Sequence, residues 1–158
     1  MADEAVDRTG FDDTTNYLTE ALGRVIPQRL ARWAIDVEVT TDREEYAPGE
    51  AVEIGIEFRN RLPVPVTITT PRARLWGWAV DGILEASDER RYLSPAEATL
   101  SFRGRERKRI IRRWEGTIRR RGSPDTWEPL APGPHEISAF IAVEDRPRPE
   151  DRTTIEVR

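Results

Sequence analysis

The catalytic chemistry open to this chain is bounded by His135, its only histidine, and by the complete absence of cysteine. A His/His or Cys/His zinc cluster needs ligands that the chain lacks. A serine nucleophile would have to use His135 as its base, with Ser87, Ser94, Ser101, Ser123 or Ser138 as the attacking group. None of these serines sits in a recognisable nucleophile turn. Gly77, Gly82, Gly104, Gly116 and Gly122 read as isolated turn residues, so no phosphate-cradling loop is expected. The inventory therefore predicts no catalytic residue, no metal and no cofactor. His135 reads as a strand-end histidine with its hydrogen bonds satisfied.

What the side chains can do is bind. Arg103, Arg105, Arg107, Lys108, Arg109, Arg112, Arg113, Arg119, Arg120 and Arg121 stand against only Glu106 and Glu115, giving residues 103–121 a net charge of +8. Residues 36–57 carry eight acids against Arg43, a net charge of −7. One reading brings the two stretches together so that they neutralise each other, or leaves both simply solvated. The other makes the arginines a surface for a partner. Guanidinium groups take carboxylate and phosphate alike in bidentate contacts, so an acidic protein and a nucleic acid both fit. Trp127 lies among Pro124, Asp125 and Pro129 in what reads as a loop, and is the tryptophan expected to be exposed as a binding anchor. Trp76 and Trp78 alternate as core residues do.

These groups need elements to hold them, and the hydrophobic pattern supplies a β-rich set. Ile35, Val37 and Val39 alternate with polar residues, as do Val52, Ile54, Ile56 and Phe58, which form the clearest strand. Tyr46-Ala47-Pro48-Gly49-Glu50 reads as the tight turn between those two strands. Further strands are expected around Val64–Ile68, Trp76–Val80, Ile83–Leu84, Leu100–Phe102, Ile137–Val143 and Ile155–Val157. Asp81-Gly82 reads as a two-residue hairpin turn. Residues 107–119 fit neither phase cleanly. If Trp114 faces the core, so do Ile110 and Arg112, which predicts a bulge, an edge strand or an arginine whose stem lies along the core.

The domain reading has three parts: a flexible acidic N-terminus over 1–12, an amphipathic helical extension over 13–34, and a sandwich domain over 35–158. In the extension Leu18, Leu22, Val25 or Ile26, Leu30 and Trp33 recur at helical spacing, with Pro27 breaking the helix into ~14–25 and ~28–33. The extension is expected to cover an edge or open face of the sandwich. Its alternatives are docking into an assembly as a structural subunit, or contact with a membrane surface.

Several of these motifs resemble the intracellular proteinase inhibitor family of bacteria and archaea, the BsuPI type. They are the Tyr46–Glu50 turn before an alternating strand, Asn60 with Val64-Pro65-Val66 after it, Leu75-Trp76-Gly77-Trp78, Trp114-Glu115-Gly116, and Leu130–Ile137 with its Ala131-Pro132-Gly133-Pro134 turn. The resemblance covers about 120 residues, all but the N-terminal segment. It implies an antiparallel immunoglobulin-like β-sandwich and a role in binding another protein. His135 departs from the family pattern, which has an aromatic there, and Ala96-Glu97 replaces a Pro-Gly-acid turn.

Among 25 cationic residues only Lys108 is lysine, and the pI is near 5.2. Such a chain points to a GC-rich, halophilic archaeal source, where high salt shortens electrostatic reach to a few Å. No apolar run is long enough to span a membrane. The acidic N-terminus lacks a signal-peptide core, so a cytoplasmic protein is expected.

Overall fold

In the computed structural model, residues 26–87 and 93–158 are described. The acidic N-terminus and the helix expected over 14–25 lie outside them. A short helix, α1 (Gln28–Ala34), leads directly into β1 (Ile35–Thr41). Then come β2 (Glu45–Tyr46), β3 (Val52–Asn60), β4 (Val66–Thr70), β5 (Trp76–Val80) and β6 (Ile83–Leu84). The second half supplies β7 (Ala98–Phe102), β8 (Arg107–Trp114), β9 (Thr117–Arg120), β10 (Thr126–Pro129), β11 (Gly133–Ile141) and β12 (Glu150–Val157).

One sheet has the order β1-β3-β8, and the facing sheet has the order β2-β12-β11-β5-β6. All pairings are antiparallel except β12 with the two-residue β2. The architecture is thus the mainly β, immunoglobulin-like sandwich that the alternation predicts. Val52, Ile54, Ile56 and Phe58 on β3 meet Ile137, Ala139 and Ile141 on β11, and Ile155 and Val157 on β12, in one buried cluster. Each large apolar side chain enclosed there contributes roughly 1.5–3 kcal/mol. Trp76 and Trp78 pack against its rim, 6.0 Å from the Phe58 ring and 6.3 Å from the Trp114 ring respectively.

Asp81 and Gly82 both take positive φ, 48° and 77°, as a two-residue turn between Val80 and Ile83 requires. Gly77 differs from the turn role expected of it. It lies within β5, where an added Cβ would sit 2.8 Å from the Phe140 ring, so the strand needs glycine for space.

The β3–β8 pair continues past a bend as the β4–β7 pair, and Asn60 holds the bend together. Its fully buried side-chain amide donates to the carbonyls of Val64 (2.8 Å) and Arg103 (2.9 Å). Its carbonyl oxygen accepts from the Leu62 amide at 3.0 Å. Gly104 completes the joint, because a Cβ there would fall 2.2 Å from the Pro63 carbonyl oxygen. On the other side of β4, the Gln28 amide group of α1 imitates a strand. It donates to Thr67 O at 3.0 Å and accepts from Thr69 N at 2.8 Å, so α1 caps that edge.

Candidate functional site

The register of β8 divides the arginine-rich stretch. Trp114 pairs with Val52, Arg112 with Ile54, Ile110 with Ile56 and Lys108 with Phe58, so these four point toward the core side. Lys108 places its ammonium 5.3 Å from the centre of the Phe102 ring, and Arg112 its guanidinium 5.3 Å from that of Trp76. Both cations are held by aromatic faces at the rim of the core.

The opposite phase carries Arg107, Arg109, Ile111 and Arg113, set against the acid-rich strands. Arg109 pairs with Glu57 and Arg113 with Glu53 across β3, and Glu38 on β1 pairs with Glu57. Arg107 lies 3.5 Å from Glu57, and Arg113 lies 3.0 Å from Glu115. A groove of about 230 Å³ opens over Gly55, walled by Glu38, Thr40, Glu57 and Arg109. A second, of about 350 Å³, lies between the Asp42–Glu50 turn and Arg113. In that turn the Tyr46 hydroxyl donates to Asp42 at 2.7 Å and accepts from the Arg43 amide at 2.9 Å. The Tyr46 hydroxyl and the Glu53 amide hold the Asp42 carboxyl below its ordinary pKa, although burial opposes them. Positive and negative side chains thus alternate across this face instead of forming a patch of one sign.

Arg103 and Arg105 sit apart, at the β7–β8 bend. Arg105 takes φ 60°, its amide bonds the Leu62 carbonyl, and its guanidinium bonds the Arg61 carbonyl.

The remaining four candidates converge. Arg119, Arg120, Arg121 and Trp127 belong to the β9–β10 hairpin, where Trp127 pairs with Arg119 and Thr126 with Arg120. Trp127 therefore lies on a strand, not in the loop read from the sequence. Every residue from Arg121 to Pro129 is exposed, so this ribbon carries no burial alternation by which a strand could be recognised. Its base is firmly anchored. Ile118 and Leu130 are buried, Trp114 Nε1 donates to the Thr117 carbonyl at 2.9 Å, and Arg119 N bonds Ala86 O at 2.9 Å. Gly116 makes the entry turn at φ 68°, with the Glu50 carbonyl where a Cβ would go.

The tip is ordered by Asp125. Its carboxylate accepts from Gly122 N at 3.1 Å and from Arg119 at 2.6 Å, and these two donors lower its pKa. The Arg119 guanidinium also lies 5.8 Å from the centre of the Trp127 ring. Trp127 is 62% exposed, the largest exposure among the large apolar residues described. Asp125 was not singled out in the sequence, although Ser123-Pro124-Asp125 beside a lone Gly122 is a turn composition whose carboxylate can bond back to the chain.

His135 spans two segments: Nδ1 lies 2.7 Å from the Asp81 carboxylate and Nε2 2.7 Å from the Ala131 carbonyl. Burial alone would lower its pKa, but the Asp81 carboxylate and the Ala131 carbonyl together raise it above the ordinary value. No helix among the described residues is long and apolar enough to cross a membrane.

Similar solved structures share the β architecture at low identity. The CARDB domain of PF1109 from Pyrococcus furiosus is 14% identical, with a TM-score of 0.47 over 78% of this chain and 94% of that one. Spo0M, a sporulation control protein from Bacillus subtilis, is 14% identical, with a TM-score of 0.48 over 79% of this chain and 49% of that one. A β-glucosidase from Listeria innocua is 12% identical, with a TM-score of 0.48; the match covers 78% of this chain but 16% of the enzyme. No curated protein matches the sequence. Residues 23–158, which include the whole sandwich and its hairpin, match the family of unknown function DUF7974, and the chain belongs to that family.

Proposed function

We propose that this chain is a non-catalytic protein-binding module that grips an acidic partner surface through the β9–β10 hairpin. Trp127 is the anchor and the neighbouring arginines form its charged surround. The observation that carries the reading is the 62% exposure of Trp127 on a ribbon that is itself fixed at its base. An indole already flanked by Arg119 loses little freedom on binding, and buried tryptophan and arginine side chains dominate measured hot spots. His135 supports the non-catalytic part, because both of its ring nitrogens are already engaged by structural partners.

In its finer form the partner is an intracellular peptidase, as the family resemblance implies, and the module works in the cytoplasm. Nucleic acid is the second reading, favoured by the arginines beside a ring on which bases could stack.

The deciding experiment is affinity purification at native salt from the source cell, comparing the unaltered protein with Trp127→Ala. An anchor of this kind is worth about 2 kcal/mol or more, so retention of the partner should fall at least about thirtyfold. Identical partners at identical yield would remove the hairpin from the interface. Steep loss of binding between low and moderate salt, with nucleic acid in the eluate, would favour the second reading. Undiminished peptidase rates at micromolar module would exclude the inhibitor form.

A further inference from the structure

A groove of about 670 Å³ lies alongside α1, lined by Pro27, Arg29, Leu30, Trp33, Arg146 and Pro147. Its floor is apolar, yet Leu30 and Trp33 are 44% and 55% exposed. Arg61 stacks its guanidinium 4.4 Å from the centre of the Trp33 indole, fixing the ring in place. We infer that this groove is the seat of the chain's own preceding segment, residues 14–25, laid in with Leu18, Leu22 and Val25 toward Leu30 and Trp33. The inference is independent of the hairpin reading.

Three observations select this occupant over a foreign one. The first is continuity: Pro27 is itself part of the groove wall, so the segment enters at its rim and closes almost no loop. Twelve helical residues span about 18 Å, enough to lie along a groove bordered by two turns of α1. The second is pattern. Leu18, Leu22 and Val25 fall on one side at about 100° per residue, while Glu20 falls opposite them. The third is charge. The polar wall is Arg29 and Arg146, whereas Asp12, Asp13 and Glu20 outnumber Arg24 in and just before the segment. A second copy of α1 would instead bring the same arginines against one another.

The absence of cysteine makes the test clean, since engineered thiols have no native competitor. In the full chain, the L22C/R146C pair is oxidised and compared with E20C/R146C, whose segment thiol lies on the opposite side of the same stretch. Seating predicts an intramolecular disulfide at least about tenfold faster in the first pair, at a rate independent of protein concentration. Equal rates in the two pairs would mean a segment near the groove but not in it, and would overturn the inference. Disulfide-linked dimers in place of internal bonds would do so by making a second copy the occupant. A readout free of oxidation is the Trp33 indole N–H resonance, assigned with Trp33→Phe. It should move in L18S/L22S while the Trp127 resonance stays, and an unmoved Trp33 signal would equally end the proposal.

Discussion

Replacing Asn60 by leucine keeps the side-chain volume nearly constant and removes the hydrogen bonds that join β3–β8 to β4–β7. The change strands the carbonyls of Val64 and Arg103 and the amide of Leu62. A buried polar group left without a partner costs about 1–3 kcal/mol. Three would sum well above that, but Arg103 and Val64 lie at exposed positions, so water can reach part of the opened site. Leucine also returns some apolar burial. The balance is a predicted loss of about 2–4 kcal/mol, a large share of the roughly 5–15 kcal/mol that holds a domain of this kind together. Urea unfolding followed by circular dichroism would show it as a lower midpoint at unchanged slope. Melting should fall by very roughly 5–15 °C, at about 2–4 °C per kcal/mol for a chain of this length. Asn60→Asp should be at least as harmful, since it turns two donors into a charge facing two carbonyls. A loss within about 0.5 kcal/mol, the range of ordinary surface changes, would refute the assignment of Asn60 as the tie.

Trp127→Ala should leave stability within about 0.5 kcal/mol, because the indole is mostly in solvent; a larger loss in urea would show that the ring braces the hairpin instead. We predict that Gly116→Ala destabilises by more than about 2 kcal/mol, since it combines a φ of 68° with a Cβ placed 2.2 Å from the Glu50 carbonyl oxygen; thermal melts would check this. The His135 ring should titrate above its ordinary pKa by NMR. Because the folded value is raised, the stability it contributes is complete below the unfolded pKa near 6.5 and is lost as pH rises through the folded value. His135→Gln should therefore narrow its stability gap to the unaltered protein at high pH, and a gap that widens there would contradict the pairing with Asp81.

The readable parts of this fold are those in which burial and sequence period coincide. The alternation of Val52, Ile54, Ile56 and Phe58 marks β3 because one face is enclosed and the other wet, and Asp81-Gly82 marks its turn because few other pairs accept two positive φ values. The β8 strand was hard to phase because Lys108 and Arg112 occupy core-side positions. What makes those positions tolerable is the rings of Phe102 and Trp76, and Trp76 lies far away in the sequence. The β9–β10 ribbon was missed as a strand pair because its outer half is exposed on both faces. The split of one arginine run into bend, sheet face, core rim and hairpin depends on register with β3, which no local pattern encodes.

The charges on β8 also bear on what this protein does when crowded. A strand at the end of a three-stranded sheet offers a template along which another chain could polymerise. Any incoming strand would have to pass Arg107, Arg109 and Arg113 on one side and dislodge Lys108 and Arg112 from their rings on the other. Two copies meeting there would align cation against cation. Even where concentrated salt weakens long-range repulsion, the desolvation barrier at contact remains, because it belongs to the groups themselves. The same arginines that complicate the sequence pattern thus act as a brake on fibre growth at the sheet's open end.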